Sequence, residues 1–214
     1  MQNGHFNIYE DFVKVFEGWS IYVAIIAALI IAGIKGFRKI KTYVKTDSFF
    51  IIHSEIHELL TELRILTNSA RTQLLQLHNG EYFMDGVSMR KFSLTHESLE
   101  KTISSDGARI RGLLCSMFIP LLTCVMENNP KMNYTRDMKD SFFKQYLESR
   151  NVEAFSVLPI EIKNQITGFI MVQWCSILKA EAIEDNKSEN VPLYKEMVKI
   201  RNSVEVQLTQ QHKQ

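Results

Sequence analysis

Proline and glycine are scarce, four and nine in 214 residues, which excludes collagen-like and linker-like chains. Charge of one sign is missing too. Twenty-five Lys and Arg stand against 24 Asp and Glu, so a net charge of +1 offers no global field for nucleic acid. Cysteine occurs three times, at Cys115, Cys124 and Cys175, with no Cys-x-x-Cys pair. An odd count without close pairs argues against a disulfide scaffold and for a reducing compartment. The motifs of nucleophilic and phosphate chemistry are absent: no Gly-x-Ser-x-Gly, no Walker A loop, no Gly-x-Gly-x-x-Gly. No catalytic residue and no cofactor are therefore assigned, and the chain is expected not to be an enzyme. What is present is 45% hydrophobic residues. That suits one compact domain plus an extra element, and excludes a disordered chain.

The hydrophobicity is unevenly spread. Residues 18–34, GWSIYVAIIAALIIAGI, carry no charge and lie between Glu17 and Lys35. Seventeen uncharged residues are at the short end of a bilayer span, and Phe12, Val13, Val15, Phe16 and Phe37 extend the apolar run. Residues 18–36 are read as a transmembrane helix, and 1–17 as a short extracytoplasmic N-terminus. Trp19 and Tyr22 lie where an aromatic belt anchors one interface. The acidic lead-in (Glu10, Asp11, Glu17) and the lack of a small-x-small site argue against a cleaved signal peptide. Lys35, Arg38, Lys39, Lys41 and Lys45 follow with no acid before Asp47. This bias places the C-terminal side in the cytoplasm and the basic run against anionic headgroups.

Residues 37–69 form a basic juxtamembrane segment and a helical stalk. Apolar residues fall at Phe49, Ile52, Ile56, Leu59, Leu63, Leu66 and Ala70, at steps of three and four. This seam packs on its own domain, on a second copy in a homodimer, or on both. His53 and His57 stand one turn apart. A metal would need a third ligand, and Glu55 points elsewhere round the helix, so solvated histidines are expected and no metal.

Residues 70–214 change pattern. Ala70–Gly80 reads as a strand entering a turn at Asn79-Gly80, and Glu81–Gly86 as a second short strand or loop. Ser88–Lys101 begins as a strand and continues as polar helix or loop. Ser104–Arg111 is expected to be exposed. Leu113–Asn128 has a central Pro120 and is too short for a second span, so it reads as a buried, kinked helix. Thr135–Arg150 reads as an amphipathic helix with Met138, Phe142, Tyr146 and Leu147 on one face. Val152–Ile162 and Ile166–Cys175 read as a hairpin about Lys163–Gln165. A polar loop, Lys179–Asn190, precedes a helix from Pro192 with its stripe at Leu193, Met197, Ile200, Val204 and Leu208. The fold class is α+β, an antiparallel sheet between helical layers.

The order resembles a GAF-type sensor domain, a relative of PAS domains, over roughly 50–210. The carrying segment is FFKQYLESRNVEAFSVLPIEIKNQITGFIMVQW: an amphipathic helix, a strand with an apolar-Pro-apolar step at Pro159, a short turn, and an isoleucine-x-Gly step at Ile166 and Gly168. A helix leading into QLLQLHNGEYF resembles the start of such domains. The Asn-Lys-x-x-x-Phe-x-x-x-Asp/Glu pattern of cyclic-nucleotide-binding members is absent, and no cysteine sits in a bilin-attachment context. The resemblance implies a ligand pocket over one sheet face. His78, Asn79, Gly80, Tyr82 and Phe83 would line it, with Trp174 stacking on a planar ligand. Competing readings are a hairpin turn with a satisfied histidine, and core packing of Trp174 beside Phe155 and Phe169. His96, Glu97 and Glu100 read as surface charge.

Three functions follow as expectations. The first is a membrane-anchored sensor or regulatory protein without catalysis, binding a small molecule or a protein partner. The second is a membrane-permeabilising or lysis-control protein, since some tailed-phage holins have a similar layout. The third is a membrane anchor that recruits a protein partner.

Overall fold

The computed structural model of the chain describes the backbone at 8–82, 84, 86, 88–127, 131–185 and 191–211. It describes side chains at 23, 25–36, 49–82, 84, 86, 88–127, 131–181 and 193–211. The chain divides into two units between Phe50 and Ile51. Helix α1 (Ile8–Leu66) runs through that division.

In the first unit, Val23, Ile25, Ile26, Leu29, Ile30, Ile31 and Ile34 are all exposed. At 100° per residue these positions cover every side of the helix. Among the described residues, no helix is long and apolar enough to cross a membrane. The span expected at 18–36 is thus not supported by the structure. The side chains at 18–22 and 24 lie outside the described residues, as do those of Arg38, Lys39, Lys41 and Lys45.

In the second unit α1 is amphipathic, and its buried stripe is Ile52, Ile56, Leu60 and Leu63. The expected seam holds at Ile52, Ile56 and Leu63, while Leu60 is fully buried and the expected Leu59 only partly. These side chains enter the chain's own core, so they are not free for the homodimer seam proposed from the sequence. Phe49 and Leu66, at the ends of that seam, stay exposed. The helix stops at Asn68, which adopts φ 46°, with Thr67 N–H donating to the Leu63 carbonyl and Ser69 N–H to that of Arg64.

Six strands form one antiparallel sheet: β1 (Arg71–Tyr82), β2 (Ser88–Leu99), β3 (Leu113–Leu114), β4 (Asn133–Tyr134), β5 (Ala154–Ile162) and β6 (Gln165–Trp174). Their order across the sheet is β3-β2-β1-β6-β5-β4. After Phe155, β5 has no neighbour on its outer side, because β4 is two residues long. Pro159 therefore leaves no ladder bond unmade. The exposed edge is closed by α5 (Val191–Gln211), where the Glu205 carboxylate accepts the Glu161 N–H at 2.8 Å. The β5–β6 turn is Lys163-Asn164, both at positive φ (53° and 59°), which matches the twist of a two-residue hairpin.

Two cores follow from the strand alternation. Leu74, Leu158, Ile160, Ile170, Val172 and Trp174 face α1, α5 and α4 (Ile177–Asp185). Leu75, Phe155, Val157, Phe169 and Met171 face α2 (Ile119–Glu127) and α3 (Phe142–Ser149). The isoleucine-x-Gly step has a steric cause. A Cβ on Gly168 would lie 2.5 Å from the Leu75 carbonyl oxygen across the β1–β6 pair.

Four other expectations change. Asn79-Gly80 is not a turn: β1 continues through it, and Gly80 is needed because a Cβ would meet the Met89 carbonyl oxygen at 2.5 Å. β2 stays extended to Leu99, since it pairs with β1 along its length. The expected helix over Thr135–Arg150 splits into a 3-10 turn at Thr135–Asp137 and α3, whose N-cap Ser141 accepts the Lys144 N–H. It buries Phe143 and Leu147, while Phe142 is exposed. The expected polar loop after Lys179 begins as α4.

Candidate functional site

The α2–α3 face carries two features at opposite ends. At the α3 end is a buried ionic network. Arg71 and Gln73 on β1 and Gln173 on β6 share a face by strand alternation with Leu75 and Met171. The segment 104–111, expected to be exposed, turns inward there and buries Asp106 completely. Arg71 Nη1 donates to Asp106 Oδ2 at 3.1 Å and to Gln173 Oε1 at 2.8 Å. Tyr146 on α3 donates its hydroxyl to the same Oδ2 at 3.0 Å, and Arg150 ion-pairs with Oδ1. Gln73 donates to Glu97 at 2.8 Å, and Glu97 accepts the Asp106 N–H. Burial first, and then the Asp106 charge, push the Tyr146 hydroxyl well above its ordinary pKa, so it stays a donor. Burying this many charged atoms is tolerated only because they are mutually paired. Within the network the buried Nε atoms of Arg71 and Arg150 lack a hydrogen-bond partner, and Asp106 Oδ1 is held by the Arg150 ion pair rather than by a hydrogen bond.

At the other end lies a half-open cleft of about 540 Å³ between α2 and the sheet. Its apolar walls are Leu77 on β1, Leu122, Val125 and Met126 on α2, and Ile166 on β6. Arg90 on β2 supplies an ionised side chain, and the Asn164-Gln165 end of the β5–β6 turn its amides. Cys115 also lines it. Burial raises that thiol's pKa although Arg90 pulls the other way, so the sulfur is a neutral hydrophobe. Sequence reading missed this cleft, because its walls come from four separated segments that read individually as core.

The residues expected to form a ligand site are not brought together. His78 is exposed and bonded to Ser93 Oγ at 2.9 Å. Asn79 is exposed, Gly80 is pinned against β2, and Tyr82 is 66% exposed. Phe83 lies outside the described residues. Trp174 points to the α1–α5 face of the sheet, away from the cleft, where its indole N–H donates to the Thr67 carbonyl at 3.0 Å. Phe155 and Phe169, its expected neighbours, lie in the other core. Lys35 is exposed.

A third polar group joins α1 to β2. His53 Nδ1 and His96 Nε2 are 2.7 Å apart with stacked rings. Burial, then His53 and His57, push His96 down to about 4. A contact of that length holds one proton and leaves no room for a metal between two nitrogens, each of which needs about 2 Å. Among the described residues, no three His, Cys, Asp or Glu converge as a metal site.

No protein-family model matches the sequence, and no curated protein does. Solved structures do match. The phycocyanobilin-bound GAF domain of a cyanobacterial phytochrome aligns with a TM-score of 0.51 at 17% identity, covering 75% of this chain and 86% of that one. The phycoerythrobilin-bound GAF domain of a cyanobacterial phytochrome aligns with a TM-score of 0.50 at 16% identity, covering 75% and 87%. At such identity the likeness concerns the fold alone. The chain therefore carries a GAF-like α+β fold, an antiparallel sheet with helices on both faces.

Proposed function

We propose that this chain is a membrane-anchored, non-catalytic sensor or regulatory protein whose GAF-like domain binds a small ligand in the cleft beside α2. The cleft carries the reading: about 540 Å³, mainly apolar walls and one cation fall within the range of small-molecule sites. Among the described residues its lining has no acid–base pair, which favours binding over chemistry. The anchor rests on the uncharged run 18–34 and on a helix whose described residues 25–34 expose apolar side chains in all directions. The flanking Lys35, Arg38, Lys39, Lys41 and Lys45 favour a cytoplasmic domain against an anionic leaflet.

The test has two arms. Alkaline carbonate extraction should leave the full chain in the membrane pellet, and its C-terminal tail should resist protease added outside the cell. The purified full chain in nanodiscs should then melt higher with at least one member of a metabolite and cyclic-nucleotide panel. Uniformly unchanged melting would sink the sensing role. Abrupt growth arrest on expression would instead favour the lysis-control reading. A stoichiometric protein partner without ligand response would favour the anchor reading. A homodimer through α1 would have to rest on Phe49 and Leu66, since Ile52, Ile56 and Leu63 are buried.

A further inference from the structure

The geometry points to a singly charged amphipathic anion, an apolar body ending in one carboxylate or comparable head, as the ligand class of the α2 cleft. This rests on the reading of the cleft as a binding site and deepens it. Among the described residues, Arg90 is the only ionised side chain in the lining, and no carboxylate lines it. A cationic head would find no counter-charge there, and a polyanion would find one cation for several charges. A single anionic head finds a planar guanidinium suited to a bidentate contact. Cys115, kept neutral by burial, does not compete for that guanidinium.

The walls decide the body. They are aliphatic side chains and the thioether of Met126, which adapts to irregular shapes. Among the described residues no aromatic side chain lines the cleft, so these walls give a nucleobase or extended planar chromophore no ring to stack on. The buried rings of this face, Phe118, Phe143 and Phe155 among them, are engaged with one another at centroid distances of 5 to 6 Å. A flexible or branched hydrocarbon is what these walls exclude from water most favourably.

The probe is octanoate, with octanol and octyltrimethylammonium as head-group controls. The full chain in nanodiscs is titrated while the methyl signals of Leu122, Val125 and Ile166 are followed by NMR. These report the site rather than partitioning into lipid. Octanoate should move them saturably, with both controls at least about tenfold weaker. Arg90→Gln, at an exposed position, should cut octanoate affinity about tenfold and leave octanol unchanged. Leu122→Phe should weaken all three ligands by filling the cleft. Equal affinity for octanoate and either control would overturn the proposal, as would unmoved methyls up to the solubility limit. If octanoate is silent but a panel member moves the same methyls, only the ligand class is wrong. If nothing moves them, the cleft is not a binding site and both readings fall.

Discussion

On one face of the sheet, Leu74, Leu158, Ile160, Ile170 and Val172 meet Ile52, Ile56, Leu60 and Val204 from two long helices. On the other, Leu75, Phe92, Phe155, Phe169 and Met171 meet Phe118 and Phe143 from a 3-10 turn and a short helix. The first set is aliphatic and covered by continuous helix, and its helices interlock with the sheet through side-chain bonds such as Thr72 Oγ1 to the Leu60 carbonyl at 2.7 Å. The second is aromatic and covered by pieces. Those pieces stop short of the sheet at one end, leaving the cleft, and are tied down at the other by Asp106. The difference separates the faces: the α1–α5 face is closed by continuous helix, and the α2–α3 face is pinned at one end and open at the other.

The largest test of that contrast is Asp106→Asn. The substitution keeps the shape and removes the charge that Arg71 and Arg150 share. Urea denaturation should show a loss of about 3–5 kcal/mol, the usual penalty for stranding a buried charge. In a double-mutant cycle with Arg71→Met the losses should fall short of additivity by about 1–3 kcal/mol. Additive losses would mean that the network does not act as a unit. Next come paired truncations. Leu60→Ala in the closed core should cost about 3 kcal/mol, whereas Leu122→Ala, at the wall of an existing space, should cost less than about 1. Equal losses would erase the contrast between the faces.

The closed face was the more legible in sequence. The α5 stripe at Met197, Ile200, Val204 and Leu208 and the β5–β6 hairpin follow from periodicity and turn chemistry, and both are present. The α1 stripe is as expected at Ile52, Ile56 and Leu63, but Leu60 takes the fully buried place beside Leu59, because the two are equally apolar and only packing chooses between them. The site was nearly illegible. Asp106 lies in SSDGARIRG, which looks like an exposed loop. Its burial depends on Arg71, Gln173 and Tyr146, which are distant in sequence and meet only through the antiparallel pairing. The one available signal was the polarity of Arg71, Gln73 and Gln173 inside strands whose neighbours are apolar. Asn79-Gly80 misled for the opposite reason. A turn pair was present, but the steric demand behind Gly80 is close approach to β2 rather than positive φ.

A smaller effect probes the closed face from its polar side. His96 is held down at about 4 by burial and by His53 and His57, and Gln211 approaches His53 at 3.4 Å. The unfolded chain binds a proton at this histidine from about pH 6.5, while the folded chain refuses it until about pH 4. The unfolded state therefore holds more protons in that window, and stability falls as pH falls through it. Discounted for its partial exposure, the loss attributable to His96 should be about 1–2 kcal/mol between pH 7 and pH 4. His96→Gln should flatten that part of the profile and leave stability above pH 7 nearly unchanged. An unaltered slope would mean that protonation elsewhere governs it.

The smallest expected effects fall on the β1–β2 hairpin, and they separate the two places where a ligand has been sought. His78 and Tyr82 are exposed, and His78 has Ser93 as its side-chain partner. His78→Ala and Tyr82→Ala should each change unfolding stability by no more than about 0.5 kcal/mol, as surface truncations do. Neither should alter the melting shift caused by a ligand held in the cleft, because neither side chain lines it. A site on the hairpin, as the motif His-Asn-Gly-Glu-Tyr suggests, requires the reverse: unchanged stability with the ligand-induced shift abolished in both variants. The measurement is the same melting experiment with and without ligand. It places recognition either at the aliphatic opening of the α2–α3 face or on the strand arm beyond it.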